Sequence, residues 1–424
     1  MADSGTQALA SGPEIVSSAA IPFQFEVSWR SLTELESHPS GITETGCDLR
    51  TTALASEPLK APFSDYLTTL RPTYLTLWGH LRPWALWMVA AAMGLVLAAF
   101  SFATRGGPTA RLTGLGWTAH TLPDGGLQLK FDRNQPPIRQ SLDILRSLPN
   151  QPIEMVFSAE LKSLEGFRTL GELKNLTSLN LSGANVADLS ALRELRALTS
   201  LNLSGTKVAD LSALHELPNL ASLDVSATEV ADLSTLRGLK GLASLNLSGT
   251  KVADVSALRE FKSLTSLNLF ATEVADLSPL RELKSLSSLD LFVTRVTEVS
   301  ALRDLRSLTF LNLSGTKIAD VSPLRDLKSL TSLGLYGTKV TDLSPLHGLK
   351  SLASLDLFAT GVTDISPLRE LKNLSVLNLA STNVTDLSPL RDLRNLTSLN
   401  LSGTKPASRS AIEDLRQRGV RIQQ

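Results

Sequence analysis

From residue 176 onward, apolar positions return with a fixed spacing of 22 residues. Leucine leads each unit at Leu176, Leu198, Leu220, Leu242, Leu264, Leu286, Leu308, Leu330, Leu352, Leu374 and Leu396, with no insertion or slip. Within a unit, Leu176-x-x-Leu179-Asn180-Leu181 alternates with period two, which predicts a short strand with Leu179 and Leu181 turned inward and Asn180 outward. Ser182-Gly183 is a turn-prone pair, after which Val186, Leu189, Leu192 and Leu195 recur at spacings of three, a spacing that fits a tight 3₁₀ turn. Ser278-Pro279, Ser322-Pro323, Ser344-Pro345, Ser366-Pro367 and Ser388-Pro389 read as a Ser cap followed by Pro at the first helical position. One such coil cannot bury its own leucines, so the copies must stack into a solenoid. Eleven strands at about 4.8 Å then form a parallel sheet roughly 50 Å long on the concave side, with the 3₁₀ turns on the convex side. After each strand from the second unit on stands a threonine, Thr206 to Thr404, where the first unit has Ala184. Its hydroxyl is expected to bond the backbone of the neighbouring loop, making a ladder along the stack.

An open leucine face would aggregate, so both ends need caps. Residues 406–424 serve at the C-terminal end: Pro406 breaks the repeat, Ala407 to Gln417 reads as an amphipathic helix, and Val420 to Ile422 as a last strand. Residues 114–173 serve at the other end, with a hairpin between Trp117 and Phe131 around Asp124-Gly125-Gly126, a helical pattern from Ile138 to Leu148, and a degenerate first coil beginning with the strand Ile153 to Phe157. The repeats proper occupy residues 174–405.

The strand L-x-L, the 22-residue period and segments such as Asp364-Ile365-Ser366-Pro367-Leu368 resemble the internalin-type bacterial leucine-rich repeats, over about residues 150 to 424. The resemblance implies an α/β solenoid of horseshoe form and a non-catalytic recognition protein whose ligands vary within the family. The family usually carries Asn where this chain has the threonine row.

Ahead of the solenoid, Trp84 to Ala103 is twenty residues without a charge, bounded by Arg82 and Arg105. At 1.5 Å per residue it spans about 30 Å, the thickness of a bilayer core, and it reads as one transmembrane helix within residues 84–104. The flanking arginines tie, two on each side. An 83-residue tail with no export signal favours an N-terminus inside and repeats facing outward from a bacterial cell membrane. Residues 1–80, rich in Ser, Thr, Ala and Pro, lack periodicity and read as mostly disordered. The single cysteine, Cys47, lies in this tail and cannot form an intramolecular disulfide.

Candidate chemistry is sparse. There is no P-loop, no G-x-G-x-x-G, no paired cysteine and no H-E-x-x-H, so neither cofactor nor metal is expected. His215 and His347 occupy a slot held elsewhere by arginine, beside a row of acidic residues, and read as surface substitutions rather than parts of a triad. With 41 basic and 41 acidic residues the formal charge is zero, which argues against nucleic-acid binding.

What varies between repeats is more informative. The outward row through Asn180 is Asn or Asp apart from Gly334 and includes Asn268, Asp290, Asn312 and Asp356. The next outward row is Ser in most repeats but becomes Phe270, Phe292, Tyr336 and Phe358 in four of them. Phe310 joins from a third row that is otherwise Ser apart from Val376. Rings clustered on the sheet face suit a protein ligand, or a polysaccharide stacked on the rings and bonded by the Asn/Asp row. The same rings could instead pack over small neighbours and stabilise the fold, and a structural envelope tether would not need them at all.

Overall fold

The computed structural model describes residues 107–148, 151–406 and 408–424. The tail and the candidate span Trp84 to Ala103 lie outside them. Among the described residues, no helix is long and apolar enough to cross a membrane.

One sheet of fifteen strands runs through the described residues, with strands ordered as in the sequence. It opens with the antiparallel hairpin β1 (Thr118–Thr121) and β2 (Leu127–Phe131), and every later pairing is parallel, from β3 (Ile153–Phe157) through β4 (Leu176–Asn180) to β14 (Ser398–Asn400) and β15 (Arg421–Gln423). Nine three-residue strands lie between β4 and β14, each followed by a 3₁₀ segment. Across the repeats, residue i faces residue i+22: Leu289 faces Leu311, and Leu311 faces Leu333. The 22-residue period therefore becomes a set of straight rows, the inward ones made of leucine with almost no exposure.

At both ends the hairpin, helices and strands form where the pattern places them, with one addition. A helix α1 (Pro108–Gly114) precedes the hairpin and buries Leu112 against it. Seven residues with a single buried leucine carry too little periodicity to be read from sequence. Helix α2 (Ile138–Arg146) follows, and Trp117, Phe131, Phe157 and Phe167 close the end of the leucine stack as one buried ring cluster. The indole N–H of Trp117 donates to Ser141 Oγ at 2.9 Å, so the one polar atom of that ring is satisfied. At the other end, α3 (Arg409–Gln417) is capped by Ser408 and leads into β15.

Two hydrogen-bonding expectations are corrected. The threonines after the strands are buried from Thr206 to Thr382 and Thr404 is half-buried, but each hydroxyl closes its own turn, as when Thr206 Oγ1 donates to the Leu203 carbonyl at 2.7 Å. The hydroxyl ladder between coils runs instead along the row after the leading leucine. There Thr199 Oγ1 donates to the Thr177 carbonyl (3.1 Å), Thr309 Oγ1 to that of Ser287 (3.0 Å) and Thr331 Oγ1 to that of Thr309 (2.9 Å). A three-residue reach within the turn is shorter than the crossing to the next coil, and the local bond wins. Nor do the serines before the prolines cap the 3₁₀ segments. Asp276 does so for Ser278, its Oδ1 accepting from the Ser278 N–H and its Oδ2 from the hydroxyl, both at 2.8 Å, and the arrangement recurs from Asp188 to Asp386.

Candidate ligand-binding face

Because rows are straight, the aromatic substitutions fall into one line on the outward face of the sheet. Phe270 and Phe292 stack with centroids 5.3 Å apart and planes 8° from parallel. Tyr336 and Phe358 are 4.9 Å apart and tilted by 48°. Between these pairs Ser314 occupies the row, yet Phe292 and Tyr336 lean across it to 6.3 Å, and Ser314 is buried beneath them. Four rings thus make one continuous apolar strip. Phe310 stands beside the strip and outside the ring chain.

Among the described residues, the exposed large apolar side chains all lie on this face: Phe270 (39%), Val293 (49%), Phe310 (36%), Tyr336 (37%) and Val376 (43%). Phe292 and Phe358 are half-buried.

The Asn/Asp row underpins the strip. Asn268, Asp290 and Asp356 each use Oδ1 to accept the backbone N–H of the ring residue two positions on, at 2.9 Å to Phe270, Phe292 and Phe358. Asn312 does the same for Ser314 at 3.2 Å. These four side chains hold the turn that presents the ring row, with one oxygen of each committed to it. Gly334 has no such oxygen to offer, and the Tyr336 N–H finds Ser314 Oγ of the preceding coil at 3.2 Å. Asn312 and Ser314 fill the space above Gly334, so closely that a Cβ there would meet the Asn312 oxygen at 2.5 Å. Half-burial pushes the Asp290 carboxyl above its usual range, against the Phe292 N–H and the Asn312 side chain, which favour the carboxylate.

The residue after each ring carries a signal that composition alone does not show. This position has positive φ in every repeat and is Gly in six, from Gly183 to Gly403. Ala271, Val293 and Ala359 follow three of the four rings at φ of 53°, 56° and 52°. A β-branched residue in the left-handed region is a backbone outlier, and Val293 is also the most exposed of the large apolar side chains. Its conformation could have been suspected from the glycines that share its row.

His215 and His347 are exposed, and the His347 Nδ1 lies 2.8 Å from the Ser344 carbonyl oxygen, a local contact within its own turn. Among the described residues no group of His, Cys, Asp and Glu is placed to hold a metal ion.

Comparison with known proteins places these features in a family. A family model described as leucine-rich repeats (2 copies) matches residues 372–417. No curated protein matches the sequence. Among solved structures, the chain is similar to an internalin (inlF) from Listeria monocytogenes at 30% identity, with a TM-score of 0.62, over 66% of this chain and 82% of that one. It is also similar to the functional domain of InlJ from the same organism, at 19% identity and a TM-score of 0.53, over 66% of this chain and 64% of that one. The ectodomain of the plant receptor kinase GASSHO1/SCHENGEN3 from Arabidopsis thaliana shares the fold at 19% identity and a TM-score of 0.52, over 69% and 42% of the two chains.

Proposed function

We infer that this chain, which belongs to the internalin-type leucine-rich-repeat proteins, is a non-catalytic recognition module that binds a protein ligand through the outward face of its sheet. The observation that carries the reading is the ring strip. Four aromatics replace the serine of other repeats in one row, they lie adjacent, and the exposed apolar surface gathers around them. Rings of this kind supply most of the energy in protein interfaces.

The same geometry favours a protein over a polysaccharide. A sugar stacks on a ring face, but Phe270 and Phe292 lie nearly parallel at 5.3 Å, so each covers one face of the other and removes it from the surface a sugar would use. The Asn and Asp side chains that would bond sugar hydroxyls already commit an oxygen to the turn. A structural tether would have no use for the strip.

We further propose that the chain is a single-pass membrane protein, anchored through Trp84 to Ala103 in a bacterial cell membrane with the repeats outward. Charge exclusion over twenty residues supports this reading. Protease added to intact spheroplasts should digest the repeats, and an impermeant maleimide should leave Cys47 unlabelled. Protected repeats with a labelled Cys47 would reverse the orientation.

Photo-crosslinking tests the binding reading. A crosslinking phenylalanine analogue at Phe292 on native cells should give a discrete protein adduct that the same analogue at Ser204, in the same row, does not. Identical patterns at both positions, or an adduct removed by glycosidase, would overturn it.

A further inference from the structure

A fourth row borders the ring strip. Three residues beyond each ring position, on the loop leaving the sheet, stand Lys207, Glu229, Lys251, Glu273, Arg295, Lys317 and Lys339. In the earlier coils the signs alternate and neighbours pair: Lys251 with Glu229 at 3.6 Å and Arg295 with Glu273 at 3.3 Å. At Lys317 and Lys339 the alternation stops. Two exposed lysines follow each other in adjacent coils, beside Arg295, and among the described residues neither makes an ion pair. Like charges in neighbouring coils repel, so nothing within the fold rewards the arrangement. It occurs beside the middle of the ring strip, in the coils of Ser314 and Tyr336.

Ring edges turned toward a ligand have the same preference. Aromatic edges carry the positive end of the ring quadrupole and favour acceptors such as carboxylates and carbonyls. Carboxylates do occur on the face, at Asp290 and Asp356, but they sit on the far side of the rings from the lysines. Asp290 is bonded by the Phe292 N–H and the Asn312 side chain, and Asp356 accepts from the Phe358 N–H. The loop-side border of the strip therefore carries Glu273 at its Phe270 end, paired to Arg295, and the two cations Lys317 and Lys339, unpaired among the described residues, along its middle, while the other border is acidic. Val293 adds to the apolar surface in a backbone conformation that Gly adopts at less cost in six repeats, so stability gives no reason for its side chain.

We propose that the strip takes an acidic, apolar-anchored peptide segment of a partner protein. The segment lies along the solenoid axis across the strands, its large apolar side chains on the rings and its carboxylates toward Arg295, Lys317 and Lys339. This rests on the reading of the sheet face as a protein-binding surface and specifies the partner's chemistry and direction.

The experiment is a selection of random twelve-residue displayed peptides on the full chain, counter-selected against the F270S/F292S/Y336S/F358S variant. Enriched peptides should combine aromatic or long aliphatic residues with Asp and Glu. Their synthetic versions should bind about tenfold or more weakly to a Lys317→Glu/Lys339→Glu variant that keeps the parent circular dichroism, and more weakly as salt rises. Repeating the selection on the charge-reversed variant should enrich basic peptides. Ring-dependent peptides that are neutral or basic, or that ignore the charge reversal, overturn this proposal while the protein-binding reading stands. Selections yielding no ring-dependent peptide, with ring-dependent signal on a glycan array instead, overturn both.

Discussion

Among the described residues, two sets of four aromatic rings are arranged in opposite ways. Trp117, Phe131, Phe157 and Phe167 meet at 5.0 to 5.7 Å with planes tilted by 49° to 73°, closing around one another so that almost none of their surface is exposed. Phe270, Phe292, Tyr336 and Phe358 meet at 4.9 to 6.3 Å, but in a line set by the 22-residue register, with Phe270 and Tyr336 exposed and Phe292 and Phe358 half-buried. The first set covers the leucines that the end of a stack would otherwise expose. The second lies over buried Ser314 and keeps part of every ring open to solvent. Ring contact alone does not separate structure from recognition; what the rings cover does.

That contrast can be broken by mutation. Phe157→Ala removes a buried ring from the cap and should cost about 3–5 kcal/mol, read as a shift of the denaturant midpoint. A loss under about 1 kcal/mol would mean that the cap carries little of the stack's stability.

A smaller effect, of opposite sign, is expected on the sheet face. Val293→Gly relieves a left-handed β-branched residue and should stabilise the fold by about 1 kcal/mol, while binding of the selected peptides weakens. A destabilised variant would show that the Val293 side chain packs usefully in the free protein, against its exposure of 49%.

Acid gives the smallest effect per residue. Asp188, Asp232, Asp276, Asp342 and Asp386 are held below the ordinary 3.8 by the Ser N–H and hydroxyl that each accepts. A depressed folded-state value stabilises the fold above the unfolded value and is lost as pH falls through the folded one. Melting temperature should therefore be flat near neutrality and decline below about pH 4, by less in a variant with Asp276 and Asp386 changed to Asn. An unchanged acid decline would remove these turns from the explanation.

Much of this was legible in the residues. A strict period with leucines at fixed offsets admits one stacking, and it placed the strands and the 3₁₀ turns, while Asp124-Gly125-Gly126 and the amphipathic pattern after Pro406 placed the hairpin and the terminal helix. It also named the ring strip, since a row register makes neighbours of Phe270 and Phe292 without further information. It failed where competing partners are equally close in sequence. A threonine hydroxyl three residues from one carbonyl and a coil away from another takes the nearer, and a Ser-Pro pair looks like a cap until Asp two positions earlier takes the role. The lysine row escaped notice because each lysine is unremarkable alone; only its neighbours in the stack show that pairing has stopped. The left-handed turn after the rings was hidden likewise, glycine announcing it in six repeats and Ala271, Val293 and Ala359 disguising it in the ring-bearing ones.

The central claim is that the outer rings serve a partner while the inner rings serve the fold. Its most direct test is equilibrium unfolding of the F270S/F292S/Y336S/F358S variant beside Phe157→Ala, with ring-dependent peptide binding measured on the same samples. Removing four outer rings should cost about 1–2 kcal/mol altogether, less than removing one inner ring, and should abolish binding. A stability loss exceeding that of Phe157→Ala, with binding retained by the fraction still folded, would contradict it.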